Sequence, residues 1–226
     1  VVDVEHALAA GLEEVGVVFR DDIALEDWRK AGADVFGERV HLDRGLVKSL
    51  IKTIPSEITL HARNPEKTVA LGGRQSIFIP MTGAPYLRDL EDVRRAPTLD
   101  DLATFHKLAH MLPAMHSSAH HIVEPMDHPI SHRHLRITHS SMLYSDKTFM
   151  GMTTSGQNAE DVLDMCAILF GEEYLETHAV VTGNCNGNSP LVWDETMLSA
   201  MRAFNRRNQP VLCSPFVLGG ANTPAS

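Results

Sequence analysis

The chain is poor in cysteine, in basic relative to acidic residues, and in long apolar runs, and each shortage excludes a class of protein. Its three cysteines have no paired spacing, which argues against a disulfide framework and is typical of a reducing cytoplasm. The formal net charge of -9 argues against nucleic acid as a main partner, because binding phosphates requires a basic surface. No stretch approaches the roughly 20 apolar residues that cross a bilayer. We therefore expect an acidic cytoplasmic protein without a nucleic-acid or membrane partner.

Residues 1–97 predict an N-terminal helical region with a β-hairpin. Apolar residues recur at helical spacing in three stretches, over 4–15, 25–36 and 46–51. The runs 68–71 and 77–80 are strand-like, and Gly72-Gly73 between them predicts the turn of a hairpin.

Residues 98–226 predict a βα array. Strand-like runs over 119–124, 148–153, 179–182 and 210–214 alternate with helical patterns, whose expected caps are Thr98 with Asp101, Asn158 with Asp161, and Asp194. Such alternation favours an α/β fold with a parallel sheet, either doubly wound or a barrel. No Gly-x-Gly-x-x-Gly follows a strand, which weakens the dinucleotide-binding alternative.

A complete TIM (β/α)8 barrel takes roughly 250 residues. We therefore expect residues 98–226 to be the first half of such a barrel, with about four βα units. The chain begins with Val1 rather than Met and ends in a polar, proline-containing loop, so we also expect it to be a fragment of a longer protein.

Candidate site residues follow from position, because parallel βα arrays place their active sites at the carboxyl ends of the strands. We predict Glu124 and Asn184 as catalytic residues. The predicted substrate-binding residues are Asp127, Trp193, Ser214 and Phe216. Carboxylates and aromatic rings together suit a cationic small molecule. Ordinary loop polarity explains any one of these residues equally well.

Histidine is concentrated in one part of the chain. Nine of the 13 histidines lie between His106 and His139. His106 and His110 are four residues apart, as are His128 and His132, so each pair could share a helical face and bind a metal. No His-Glu-x-x-His motif is present, and packing or capping roles explain the pairs better. We predict no metal site.

Several segments, in this order along the chain, resemble the trimethylamine/glycine betaine corrinoid methyltransferase family. They are Glu13–Val17, Ala31–Ala33, Ala62–Glu66, Leu71–Gly73, Arg94–Thr98, Asp100–Leu102, Gly171–Glu173, Asn188–Leu191 and Gly219–Pro224. No single segment is diagnostic, but their order and spacing over the whole chain make the resemblance fairly specific.

The resemblance implies a TIM barrel enzyme that moves a methyl group from a methylated amine to the cobalt of a corrinoid (cobalamin), which a partner protein carries. No cofactor would bind directly to this chain. Trimethylamine, glycine betaine, proline betaine and carnitine all stay open as substrates. We also expect a homo-oligomer. The alternative is a non-catalytic half-barrel that self-assembles and binds a small amine; a metal-dependent hydrolase that uses the histidines is a third possibility.

Overall fold

The structure is a computed structural model that describes residues 11–188 and 191–215. The helix predicted over 4–15 lies mostly outside the described residues, which begin with a π-helical turn at Gly11–Val15. The chain divides into two compact units. The first is Val1–Pro55, Cys185–Ser199 and Cys213–Ser226, and the second is Ser56–Asn184 and Ala200–Leu212. The domain boundary after residue 97 stays a prediction.

The first unit is built on a four-stranded sheet. Its strands, in spatial order, are β10 (Val192–Asp194), β1 (Val17–Arg20), β3 (Arg39–His41) and β2 (Asp34–Phe36). β1 is parallel to β10 and antiparallel to β3. The helices α1 (Asp22–Lys30) and α2 (Arg44–Ile51) follow strands of this sheet. The core of the unit contains the buried side chains of Val17, Phe19, Leu25, Val40, Leu42 and Leu198.

The prediction of a hairpin over residues 68–80 is wrong about which two segments pair. β5 (Val69–Gly72) pairs antiparallel with the preceding strand β4 (Glu57–Leu60), and residues 77–80 belong to no strand. The chain reverses its direction between β4 and β5, at a 3-10 turn over Pro65–Lys67 whose N-cap is Asn64. Gly72, with φ 121°, approaches the Ser56 carbonyl so closely that a Cβ would overlap it. The two glycines therefore end a strand and do not turn a hairpin.

The remaining elements alternate only in part, since no strand separates α3 from α4 or α5 from α6. They are β6 (Leu87–Arg88), β7 (Arg94–Arg95), α3 (Leu99–Met111), α4 (Ile130–Tyr144), β8 (Phe149–Met150), α5 (Gly156–Phe170), α6 (Glu172–Thr177), β9 (Val181–Gly187), α7 (Glu195–Arg206) and β11 (Val211–Pro215). The capping box of α3 is confirmed, since Thr98 and Asp101 exchange both hydrogen bonds. The cap of α5 is Ser155, however, which accepts a hydrogen bond from the backbone of Asn158 at 3.1 Å.

Parallel pairing supports the predicted α/β class. Ser117 forms a parallel bridge with Thr148, β8 is parallel to β9, and the order of the three-stranded sheet is β11, β9, β8. The predicted strand at 119–124 is reduced to a bridge between Val123 and Ala84, because the backbone of Ala119 takes a left-handed turn with φ 56°. Within the described ranges the result is a mixed α/β fold whose sheets do not close into a barrel.

Tight packing under the parallel strands fixes the second unit. Cys166 on α5 is fully buried, and burial raises the pKa of its thiol. Gly151 follows β8, and a Cβ there would lie 2.8 Å from Val162 and 2.9 Å from Phe204. Lys147 is buried and donates hydrogen bonds to three carbonyls after and within the last turn of α3.

No helix in the described part of the chain is long and apolar enough to cross a membrane.

Candidate functional site

A pair of histidines stands at the carboxyl end of the parallel strands of the second unit. His120 and His121 directly follow Ala119, whose carbonyl accepts a hydrogen bond from Met150 of β8 at 3.3 Å. Ala119 is fully buried in the left-handed conformation, which costs a non-glycine residue on the order of 1–2 kcal/mol. Such strain persists where the surrounding structure imposes it and is frequent at functional sites. The turn ends the strand and directs the two imidazoles to this edge.

The tautomer of His120 follows from its backbone contact. Its Nδ1 accepts the backbone N–H of His121 at 2.6 Å, so the proton of the neutral ring is on Nε2. The two rings are stacked with centroids 4.1 Å apart, and Nδ1 of His121 also contacts Nδ1 of His120. His120 is only 6% exposed. Within the described residues, no hydrogen bond reaches its Nε2.

His106 contacts the backbone of the histidine pair from α3. It is fully buried on α3, and its Nε2 donates to the carbonyl of His120 at 2.7 Å while Nδ1 pairs with the hydroxyl of Ser140 at 2.9 Å. Ser141 also lies 3.2 Å from Nε2. Both ring nitrogens of His106 are therefore satisfied, and its role is to position the backbone that carries the pair.

A carboxylate completes the cluster. Oε2 of Glu124 lies 3.6 Å from Nε2 of His121, and its Oε1 accepts a hydrogen bond from Nη1 of Arg133 at 2.7 Å. Arg133, on α4, also donates through Nη2 to the carbonyl of His128 at 2.8 Å. These contacts fix Glu124 in a single position. His120, His121, Glu124 and Arg133 are called the histidine–glutamate cluster below.

Burial keeps the imidazoles of His106, His120 and His121 uncharged at neutral pH. Desolvation lowers the pKa of His106 to about 4. Burial, with the neighbouring His121 and His106, holds the pKa of His120 well below its ordinary value of 6.5. Burial also lowers the pKa of His121, although the charge of Glu124 opposes that shift. The site therefore offers neutral N–H groups and ring faces beside one carboxylate.

The structure gives each predicted residue of the second unit a definite local contact. Glu124 lies in the cluster. Asp127 instead accepts the backbone N–H of Leu99 at 3.0 Å, at the amino end of α3, where a carboxylate is stabilised by the helix dipole. The carbonyl of Asn184 accepts the hydroxyl of Thr153 at 2.5 Å, so these two strand ends are joined. Glu124 and Asn184 are not linked by a direct contact.

Two predicted residues of the first unit meet the end of β9. Ser214 donates to the side-chain oxygen of Asn186 at 2.5 Å. Trp193 packs against the core of the unit, and its ring covers Gly187, where a Cβ would lie 3.3 Å from the indole. Phe216 lies outside the described residues. The substrate-binding roles of Trp193, Ser214 and Phe216 stay predictions from strand-end position.

The two spaced histidine pairs do not form common sites. On α3, His106 is bonded in the core, whereas His110 lies 3.1 Å from Asp146, which also binds Lys67 at 2.5 Å. His128 lies 3.3 Å from Asp127. Among the residues that the structure describes, no group of three or more histidine, cysteine or carboxylate side chains could hold a metal ion.

Sequence reasoning missed His120, His121 and Arg133. The high local density of histidine and the expected strand end at 119–124 were both visible, and their overlap at residues 120 and 121 was the available signal. Arg133 gave no signal, because only the packing of α4 brings it to Glu124.

Comparison with known proteins shows the family to which the chain belongs. The family model described as trimethylamine methyltransferase (MTTB) matches residues 1–226. The chain belongs to this family. It is 42% identical over 216 residues to a glycine betaine methyltransferase of Desulfitobacterium hafniense strain Y51, covering 95% of this chain and 45% of that protein.

Two further relatives of the trimethylamine methyltransferase family are more distant. A trimethylamine methyltransferase MttB of Desulfitobacterium hafniense strain DSM 10664 / DCB-2 is 26% identical over 80% of this chain and 37% of its own length. A proline betaine:corrinoid methyltransferase of Eubacterium limosum is 26% identical over 95% of this chain and 46% of its own length. The chain thus spans less than half the length of these curated relatives.

Proposed function

We propose that the protein is a methyltransferase that moves a methyl group from a quaternary amine such as glycine betaine to the cobalt of a corrinoid on a partner protein. The observation that carries the proposal is the histidine–glutamate cluster at the carboxyl end of the parallel strands, in a chain of this family. The 42% identity to a glycine betaine methyltransferase supports a betaine as donor. We further propose a cytoplasmic location, a homo-oligomer, and a partial TIM barrel, which the parallel order of the Ser117 bridge, β8 and β9 favours.

The reaction requires the protein mainly to position the methyl donor and to complement its positive charge. The bond between the methyl carbon and nitrogen breaks, its electron pair stays on nitrogen, and a neutral tertiary amine leaves. The reduced corrinoid, which is the second substrate, supplies the electron pair of the new bond to the methyl carbon. No proton is transferred in this step, so the protein acts by holding the donor in line with the acceptor.

The cluster meets this need in two ways. The Glu124 carboxylate, fixed by Arg133, attracts the ammonium group. The neutral rings of His120 and His121 offer polar faces without adding a positive charge that would repel the donor. Since the positive charge of the donor disappears during transfer, a weakly charged site binds it without stabilising the ground state strongly. Asn184, predicted as catalytic, is proposed to position the donor from β9, on the far side of β8.

The test uses the complete protein as its source cell makes it. It is mixed with glycine betaine and a reduced corrinoid, and both dimethylglycine and the spectrum of the methylated corrinoid are measured. Stoichiometric formation of both products is expected. We expect Glu124→Gln to lower kcat/KM at least about tenfold, or ~1.4 kcal/mol. The matched control is Glu91→Gln, at an exposed loop position.

Absence of both products with every methylated amine tested would exclude the proposal. Such a result, together with stable self-association and amine binding, would favour the non-catalytic half-barrel.

A further inference from the structure

We propose that a cavity at the amino end of the parallel strands of the second unit is a second binding site, which takes a small aliphatic carboxylate. The cavity has a volume of about 400 Å³ and is called the amino-end cavity below. His116 and Lys147 line it, and each directly precedes a residue of the parallel bridge between Ser117 and Thr148. The histidine–glutamate cluster lies at the other end of these strands, so the two sites are distinct.

Positive charge is in excess at the amino-end cavity. Lys67 and Lys147 both line it, and burial together with the nearby charge of Lys67 lowers the pKa of Lys147. Asp146, which binds Lys67 at 2.5 Å, neutralises only one of the two ammonium groups. Glu66 also lines the cavity, but it is exposed to water and its charge is screened. Two neighbouring cations with one buried counter-ion attract an anion.

Three side chains of the amino-end cavity have hydrogen-bond donors for such an anion. Lys67 uses one of its three N–H groups on a carboxylate. Nδ1 of His116 accepts a backbone N–H at 3.0 Å, so the neutral ring has its proton on Nε2. The hydroxyl oxygen of Thr68 accepts a backbone N–H at 3.2 Å, which leaves its own proton to donate. Lys147, whose three N–H groups are bonded to carbonyls, contributes charge alone.

Asp146 has a replacement partner, so Lys67 can turn to a ligand. Nδ1 of His110, another residue that lines the cavity, lies 3.1 Å from Oδ1 of Asp146. This nitrogen is covered from solvent and makes no hydrogen bond within the described residues, while Lys67 holds the same oxygen. Buried polar atoms without a partner are rare in proteins and require an explanation. Exchange of Lys67 for His110 at Asp146, when an anion binds Lys67, provides one.

The rest of the lining is apolar and limits the kind of anion. It consists of Val69, Met111, Pro113 and Met115. Met111 is 72% exposed, and flexible methionine side chains adapt to apolar ligands. The volume is at the small end of the range of ligand pockets. A short hydrocarbon chain with one carboxylate uses both parts of this lining, whereas inorganic phosphate would leave the apolar part without contacts.

Calorimetry on the complete protein tests the proposal with three probes. Hexanoate has the expected chemistry, hexylammonium has the same chain with the opposite charge, and inorganic phosphate has the charge without the chain. We expect hexanoate to bind at least about tenfold more tightly than either of the others. Equal binding of hexanoate and hexylammonium would refute the anion site, and equal binding of phosphate would refute the role of the apolar lining. Absence of hexanoate binding would refute the proposal as a whole.

Variants of Lys67 test the residue that contacts the carboxylate. Lys67→Met should raise the dissociation constant for hexanoate about 10- to 100-fold, as expected when a hydrogen bond to a charged group is lost. Lys67→Arg retains the charge and the donors and should recover most of the affinity. Lys52→Met removes an exposed lysine and should leave the dissociation constant unchanged. An unchanged dissociation constant in Lys67→Met would overturn the assignment.

A measurement on the unaltered protein covers the case in which Lys67→Met does not fold. With ¹³C-labelled methionine methyl groups, hexanoate should shift the resonances of Met111 and Met115. The resonance of Met152, which is buried beyond β8, should stay in place. Shifts confined to other methionines would place hexanoate elsewhere and refute the proposal. These readouts measure binding alone, so failure of the proposed methyl transfer does not change their meaning.

Discussion

Nη1 of Arg133 donates a hydrogen bond to Oε1 of Glu124 at 2.7 Å, and the two side chains are only 15% and 22% exposed. The arginine comes from α4 and the glutamate from the loop before it, so one contact joins the helix to the candidate site. Charged groups removed from water in this way depend strongly on each other, because either one alone would be buried without compensation.

Arg133→Met should destabilise the fold and release Glu124. We expect the free energy of unfolding, measured in urea, to fall by about 2 kcal/mol, the usual size of a hydrogen bond to a charged group. Arg136→Met is the control, because Arg136 is exposed on the same helix. Equal stability of the two variants would mean that the Arg133–Glu124 pair contributes nothing in solution.

Acid should weaken the protein in a window set by His106. Its pKa lies near 4 in the folded chain against 6.5 ordinarily, so between these values only the unfolded chain binds the proton. The free energy of unfolding should therefore fall as the pH drops from 6.5 to 4, by about 3 kcal/mol. The lowered pKa values of His120 and His121 act in the same direction. Asp101, whose pKa is lowered, adds losses only below 3.8.

Urea unfolding at intervals between pH 7 and pH 4 measures this dependence. His106→Gln should flatten the profile, whereas His132→Gln should retain it. A profile for the unaltered protein that is level from pH 7 to pH 4 would contradict the buried neutral state of His106.

Gly151→Ala should destabilise the second unit by overpacking. The added methyl group would meet Val162 at 2.8 Å and Phe204 at 2.9 Å, and forced repacking of this kind costs about 1–3 kcal/mol. Gly11→Ala is the matched control, since no atom lies within 4 Å of the point that its added methyl group would occupy. Thermal unfolding of the two variants gives the comparison, and a Gly151→Ala protein as stable as the original would show that the strand has room to move.

Lys147→Met should loosen the end of α3. The amino group donates to the carbonyls of Ala109 at 2.8 Å, Leu112 at 2.8 Å and Met115 at 2.7 Å. Methionine has a similar length but donates none of these hydrogen bonds. The carbonyl of Leu112 keeps the backbone N–H of Met115 at 3.1 Å, and we expect the loss of the amino group to cost about 2 kcal/mol. Hydrogen exchange of the amides in the last turn of α3 should quicken. Lys48→Met, at an exposed position on α2, should change neither quantity.

Local signals in the sequence located helices but not always their bounds. The helix predicted over 25–36 ends at Lys30, and residues 34–36 form β2. Thr98 and Asp101 form the predicted capping box, and Gly171 ends α5 with φ 95°, because both signals act within a few residues.

The pairing of strands could not be predicted from the sequence as well as the helices could. The strand 69–72 had the right composition, but nothing in its sequence distinguishes β4 as a partner from residues 77–80. Likewise, strand-end position led to Glu124 and not to His120, because the left-handed turn at Ala119 is imposed by tertiary structure on a residue that ordinarily avoids it.

The parallel pairing of β1 with β10 has a consequence for synthesis of the chain. Arg20 aligns with Asp194, so the second strand leaves the ribosome long after the first. At about 5–20 residues per second, the delay is on the order of ten to thirty seconds. Throughout this interval β1 lacks one neighbour and presents an open, partly apolar edge. The sheet of the first unit therefore reaches its full set of strands only after residues 192–194 have been made.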